Sequence, residues 1–199
     1  HGALGTVARL LGRGAVANPA RANPDARPHS ALVVAAEADN PEAVALLLRH
    51  GVAVNEAGWR RTTRGWGGAH PYRPTSPLAV AAGNARPEIV QRLIAAGADV
   101  NFVPRLGPRV GPTPLVAAVG RGRERNAELL LEAGADVNLP GADFMIGDEV
   151  PPLVVAVSER HLALIRRLVA ARPSRAVIEA AIERARHNWN GLQPEDAGI

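Results

Sequence analysis

The chain has 199 residues, enough for one domain core or a short repeat array and short for two independent domains. Hydrophobic residues at 47% and charged residues at 21% exclude wholesale disorder, and the absence of Cys excludes disulfides, thiolate nucleophiles, Cys-based zinc sites and iron–sulfur clusters. All 23 basic residues are Arg, so a pI of 11.0 accompanies a net charge of only +4, which predicts local basic patches on a chain that is not polybasic.

The longest apolar runs, such as residues 31–36, have six residues, far short of the roughly 18 that cross a bilayer. The compartment is left open, with a soluble, cytoplasmic setting as the expectation. The chain begins with His1, so it is read as trimmed or processed, with any leader lying upstream. Residues 1–24 contain Arg and no acid, as the remnant of a transit peptide would, yet they also fit the repeat that follows.

Leu10–Leu11 followed by Gly14-Ala15-Val16-Ala17-Asn18 reads as half of a repeat. Residues 30–55 (SALVVAAEADNPEAVALLLRHGVAVN), 76–101 (SPLAVAAGNARPEIVQRLIAAGADVN) and 113–138 (TPLVAAVGRGRERNAELLLEAGADVN) are three gapless blocks of 26 residues. A fourth begins at Pro151 and loses its ending at Arg172–Pro173. Ser30, Ser76 and Thr113 are N-cap residues, and Pro77, Pro114 and Pro152 stand where a first helical turn tolerates Pro. After a short apolar helix and a polar turn, a second helix carries Val44, Leu47 and Leu48, or Ile89, Leu93 and Ile94, or Leu164, Leu168 and Val169, at helical spacing. Gly51, Gly97 and Gly134 then supply a left-handed stop. One helix pair cannot bury both of its faces, so stacked neighbours complete the core. Paired Ala residues such as Ala35–Ala36 and Ala81–Ala82 let those neighbours approach. Ser174 caps a last helix with Val177, Ala181 and Ala185 on one apolar stripe beside Ile178 and Ile182, as a terminal cap needs.

These blocks resemble ankyrin repeats, whose consensus runs from T-P-L-H-x-A-A through a second helix to G-A-D-V-N. The resemblance covers about residues 1–172 and implies an all-α solenoid of stacked antiparallel helix pairs with long inter-repeat fingers. It implies a single domain over 1–199: a half repeat and finger at 1–29, a repeat with a long finger at 30–75, repeats at 76–112 and 113–150, a last repeat at 151–172, and a capping helix and tail at 173–199. Two features depart from the consensus. The motif His is replaced by Val33, Ala79, Val116 and Val154, and the Gly between the helices survives only as Gly122, with Asp39, Ala85 and Arg160 elsewhere.

The fingers hold the unusual residues. A repeat of about 33 residues leaves about seven for the connection, whereas the connections here are 19–29, 56–75, 102–112 and 139–150, the second being 20 residues long. Connections of that length are functional or disordered more often than structural. Residues 56–75 hold Trp59, Trp66 and Tyr72, half of the six aromatics, with Arg60, Arg61, Arg64 and Arg73 against Glu56 alone. Phe102, Arg105 and Arg109 lie in the third connection. Phe144 lies in the fourth, with Asp143, Asp148 and Glu149, so the finger edge is expected to run from basic to acidic and to orient a partner. Trp, Tyr and Arg dominate binding hot spots. The alternatives are a local lid formed by Trp59 and Trp66 over the first repeats, or disorder.

No enzyme constellation emerges. Ser158 with His161 lacks a strained nucleophile turn or an oxyanion hole, the six His show no zinc spacing, and Gly120-Arg121-Gly122 follows a helix and is no phosphate loop. An N-terminal His1 could chelate copper, with a truncation product as the plainer reading, Asp143, Asp148 and Glu149 could hold Ca²⁺ but have no evident supporting shell, and no cofactor is expected. Asn101 and Asn138 resemble sites of asparaginyl hydroxylation in the family, while the plainer role is to satisfy turn backbone. The resemblance implies a non-catalytic scaffold that binds a protein through its fingers and its concave surface, where Glu37, Asn84, Arg121 and Glu159 end the short helices. Nucleic-acid binding through 56–75, and service as an accessory domain of a larger enzyme, are the alternatives.

Overall fold

The structure, a computed structural model, describes residues 5, 8–10, 12–13, 30–61, 72–106, 109–142 and 149–189. Four helix pairs follow one another: α1 (Ala31–Glu37) with α2 (Pro41–Arg49), α3 (Pro77–Asn84) with α4 (Pro87–Ala95), α5 (Pro114–Val119) with α6 (Glu124–Glu132), and α7 (Pro152–Ser158) with α8 (Leu162–Ala170). A longer helix, α9 (Arg175–Trp189), ends the stack. The first helices of the pairs and α9 pack side by side as an inner layer, and the second helices form an outer layer. Of the expected half repeat at the N-terminus, residues 14–18 lie outside the described residues.

The core repeats with the sequence. Leu32, Leu78, Leu115 and Leu153 are buried at one inner position, and Leu47, Leu93, Leu130 and Leu168 at one outer position. Fully burying such a side chain contributes about 1.5–3 kcal/mol, so the stacked leucines supply the cohesion that aromatics give elsewhere. Val80 and Val155 on the inner layer are 1% and 0% exposed, whereas the equivalent Val34 of the first pair is 48% exposed. Stacking, and not intrinsic helix packing, is therefore what buries this position.

Local signals account for the helix ends. Ser76 Oγ accepts a hydrogen bond from Ala79 N at 3.1 Å and Thr113 Oγ1 accepts one from Val116 N at 3.2 Å, each as an N-cap. Ser30 departs from this expectation, since its buried hydroxyl has no hydrogen-bond partner among the described residues. Outer helices stop at left-handed Gly51, Gly97 and Gly134, with φ of +71°, +84° and +89°. Arg172 takes the same conformation, φ +58°, where the fourth block lacks its Gly. Asn residues of one repeat hold the next. Asn55 Oδ1 accepts from Asp99 N at 2.8 Å, Asn101 Oδ1 from Asp136 N at 2.8 Å, and Asn138 Oδ1 from Ser174 N at 2.7 Å. Asn101 and Asn138 thus satisfy turn backbone, but that of the following repeat and not their own.

The turns between inner and outer helices show how the missing glycines are tolerated. Asp39, Gly122 and Arg160 all have positive φ, and each closes its inner helix with a paired turn such as Asp39 N to Ala36 O at 3.2 Å and Asn40 N to Ala35 O at 3.1 Å. Ala85 instead is extended, with φ −88° and ψ 167°. Neighbouring repeats supply the partners that its turn lacks. Asp39 Oδ1 accepts from Arg86 N at 3.1 Å, and its Oδ2 accepts from Arg86 Nε at 3.0 Å. From the other side, buried Asn126 Nδ2 donates to Ala82 O at 2.9 Å and to Ala85 O at 3.0 Å. The Arg86 backbone N–H, together with its guanidinium, holds the Asp39 carboxyl below the usual Asp range.

The fingers are hairpins. β1 (Gly58–Arg61) pairs antiparallel with β2 (Tyr72–Thr75), β3 (Arg105–Leu106) with β4 (Arg109–Val110), and β5 (Gly141–Ala142) with β6 (Glu149–Val150). The helical solenoid therefore carries minor strands that an all-α reading leaves out. Trp59, Tyr72 and Thr75 in the first stem, and Val110 and Val150 in the others, are residue types that favour strands.

Candidate functional site

The three hairpins stand at the N-terminal ends of inner helices, because β2 runs through Ser76 directly into α3. In the first hairpin the register sets Trp59 opposite Pro74, Arg60 opposite Arg73 and Arg61 opposite Tyr72. Trp59 is half-buried, and the Arg109 guanidinium of the next hairpin lies 5.9 Å from the centroid of its ring, within cation–π range. On the other side of that hairpin, Arg105 forms an ion pair with Glu149 of β6 at 3.3 Å. Cross-links of this kind make the three hairpin stems one edge. The expected gradient from basic to acidic is partly used up inside the edge, since Arg105 and Glu149 neutralise one another. Both side chains are well exposed, so the pair fixes geometry more than it adds stability.

The remaining expected residues divide into four groups. Arg73 and Phe102 are half-buried at the base of the edge. Arg60, Arg61 and Tyr72 are placed in the strands by their backbones; Arg64, Trp66 and Phe144 lie outside the described residues. Glu37, Asn84, Arg121 and Glu159 stand at the opposite, C-terminal ends of the inner helices. At 1.5 Å per residue, the eight residues of α3 separate the two groups by about 12 Å. The candidate site is thus two rims with the inner-helix face between them, and not one cluster. Arg109 is the residue that sequence reasoning passed over as a site member: its role depends on the side-by-side placement of two fingers, which a motif within one finger cannot reveal.

The enzyme-like constellations do not assemble among the described residues. Ser158 Oγ is buried with no hydrogen-bond partner, and the His161 ring lies instead against Gly122, where a Cβ would fall 2.9 Å from its Cε1. No group of three or more His, Asp or Glu side chains that could hold a metal occurs among the described residues. None of the described helices is long and apolar enough to cross a membrane.

A family model described as ankyrin repeats (3 copies) matches residues 1–101 and 67–141, well over half of the chain. The chain belongs to the ankyrin-repeat family. Ankyrin repeats are generally protein–protein interaction modules and are typically non-catalytic. No curated protein matches this ankyrin-repeat chain.

Proposed function

We propose that this ankyrin-repeat chain is a non-catalytic scaffold that takes a protein partner on the hairpin edge of residues 58–61, 72–75 and 102–110, with the concave rim at Glu37, Asn84, Arg121 and Glu159 as the second contact. The supporting observation is the placement of Trp59 under Arg109. A half-buried aromatic clamped by a guanidinium from a different repeat is pre-organised, and it loses little side-chain freedom when a partner covers it. Arg60, Arg61, Arg64, Trp66, Tyr72 and Phe144 extend this edge in sequence, and Arg73 and Arg105 flank it.

The test is a single truncation. In a partner recovered with the intact chain, Trp59→Ala should weaken affinity by roughly 2 kcal/mol or more, about thirty-fold, as a central aromatic does. Titration calorimetry at matched temperature reads this, and unchanged affinity with an unchanged melting curve removes Trp59 from the contact.

A further inference from the structure

The convex side carries a feature that is independent of the fingers. A groove of about 780 Å³ lies between α2 and α4, the outer helices of the first two repeats. Its lining includes the apolar Ala45, Leu48 and Ala95, and its charged residues come from the first and last turns of the two helices. Between α6 and α8 the matching surface is crossed by ion pairs: Glu128 pairs with Arg125 of its own helix at 2.8 Å and with Arg167 across the interface, and Arg125 also reaches Glu132 at 3.7 Å. Arg125 and Arg167 accordingly hold the Glu128 carboxyl below the usual Glu range.

A gapless alignment of the nine-residue outer helices explains the difference. Position 45 in α2 corresponds to Gln91, Glu128 and Arg166 in α4, α6 and α8, and Arg92 corresponds to Arg167. With Ala45 in place of a carboxylate, Arg92 has no counterpart across the interface and turns back onto Glu88 of its own helix at 2.7 Å. The ion pair that bridges α6 and α8 is thus absent at the groove.

The charge layout states what would fit. Acidic Glu42 and Glu88 lie in the first turns of the parallel helices α2 and α4, and basic Arg49 and Arg92 lie in their last turns. Glu42 and Arg49 have no ion-pair partner among the described residues and are seven positions apart, which is about 10 Å along a helix. Natural helices favour acids in their first turn and bases in their last. A helix laid antiparallel to α2 would thus bring its acids to Arg49 and its bases to Glu42, with an apolar i, i+4 stripe over Ala45, Leu48 and Ala95. We propose that this groove docks an amphipathic helix of a partner protein in that antiparallel orientation.

The experiment uses the full chain and a fluorescein-labelled helical peptide of three turns with Glu in the first turn, Leu at i and i+4, and Arg in the last turn. A second peptide has the Glu and Arg turns exchanged. The first peptide should bind at least about tenfold more tightly than the second, and Ala45→Glu, which supplies the carboxylate that draws Arg92 across, should weaken it at least about tenfold with the melting temperature kept or raised. Equal binding of the two peptides, no binding of either, or binding indifferent to Ala45→Glu overturns the proposal. So does a concentration-dependent dimer of the unmodified chain that Ala45→Glu abolishes, because the occupant would then be a second copy.

Discussion

Gly111→Ala is expected to be among the most damaging single-methyl changes in this chain, lowering stability by about 2–3 kcal/mol. Gly111 is buried where three fingers meet. Its N–H donates to Pro104 O at 2.8 Å, and its carbonyl accepts from Ala142 N of the following finger at 3.2 Å. A Cβ added there would fall within the van der Waals envelope of the Pro74 carbonyl oxygen and 2.7 Å from Pro104 Cγ. Neither obstacle is the end of a flexible side chain, so relief requires the hairpins to separate. Arg109 is two residues away, and its position over Trp59 should be lost along with that separation. Thermal melting together with Trp fluorescence reads both effects. A variant with a wild-type melting curve and an unshifted emission maximum would show that the stems are not packed as described.

The second large effect concerns Asn126. Asn126→Leu introduces the residue that α8 carries at the same position, Leu164, and on hydrophobicity alone it should be harmless. It is expected instead to cost about 2–3 kcal/mol, because the Ala82 and Ala85 carbonyls take hydrogen bonds from Asn126 Nδ2 and lie in a buried turn. Part of the cost is offset because Asn126 Oδ1 is itself buried without a partner. The need for Asn126 traces to Ala85, which is extended where Asp39, Gly122 and Arg160 are left-handed. Ala85→Gly lets α3 end on the same paired turn as its neighbours. In the Asn126→Leu background it should recover at least half of the lost stability, measured by denaturant unfolding. If the double variant is as unstable as the single one, the compensation between Ala85 and Asn126 is not the reason for the buried amide.

The sequence made the helices legible because each repeat states the same fact several times: a cap, a Pro at the first turn, leucines at helical spacing and a terminal Gly. Redundancy of that kind survives individual losses, and Ser30 without its capping bond or Arg172 without its Gly does not disturb the stack. Two things were not legible. Strand pairing in the fingers needs the register of Trp59 with Pro74 and of Arg105 with Val110, which no periodicity in a four-residue or two-residue strand encodes. Contacts between repeats, such as Arg109 on Trp59, Asp39 on Arg86 and Asn126 on Ala85, join positions 41 to 50 residues apart, and nothing local marks them. The aromatic shortage was informative for the opposite reason. Stacked Ala-rich helices fill the described core without a large ring, and Trp59 and Phe102 stand half-buried in the fingers.

The finger edge is proposed to recruit a protein partner of its own, apart from any helix held in the groove between α2 and α4. The most direct measurement compares affinity purification by the intact chain with that by a chain in which residues 56–75 are replaced by a seven-residue finger, at low and at high salt. A protein retained by the intact chain at both salts should be lost from the shortened one, while helix content and cooperative melting persist. Recovery of the same proteins by both chains would contradict it, and retention of nucleic acid alone, released steeply by salt, would replace the protein partner with a polyanion.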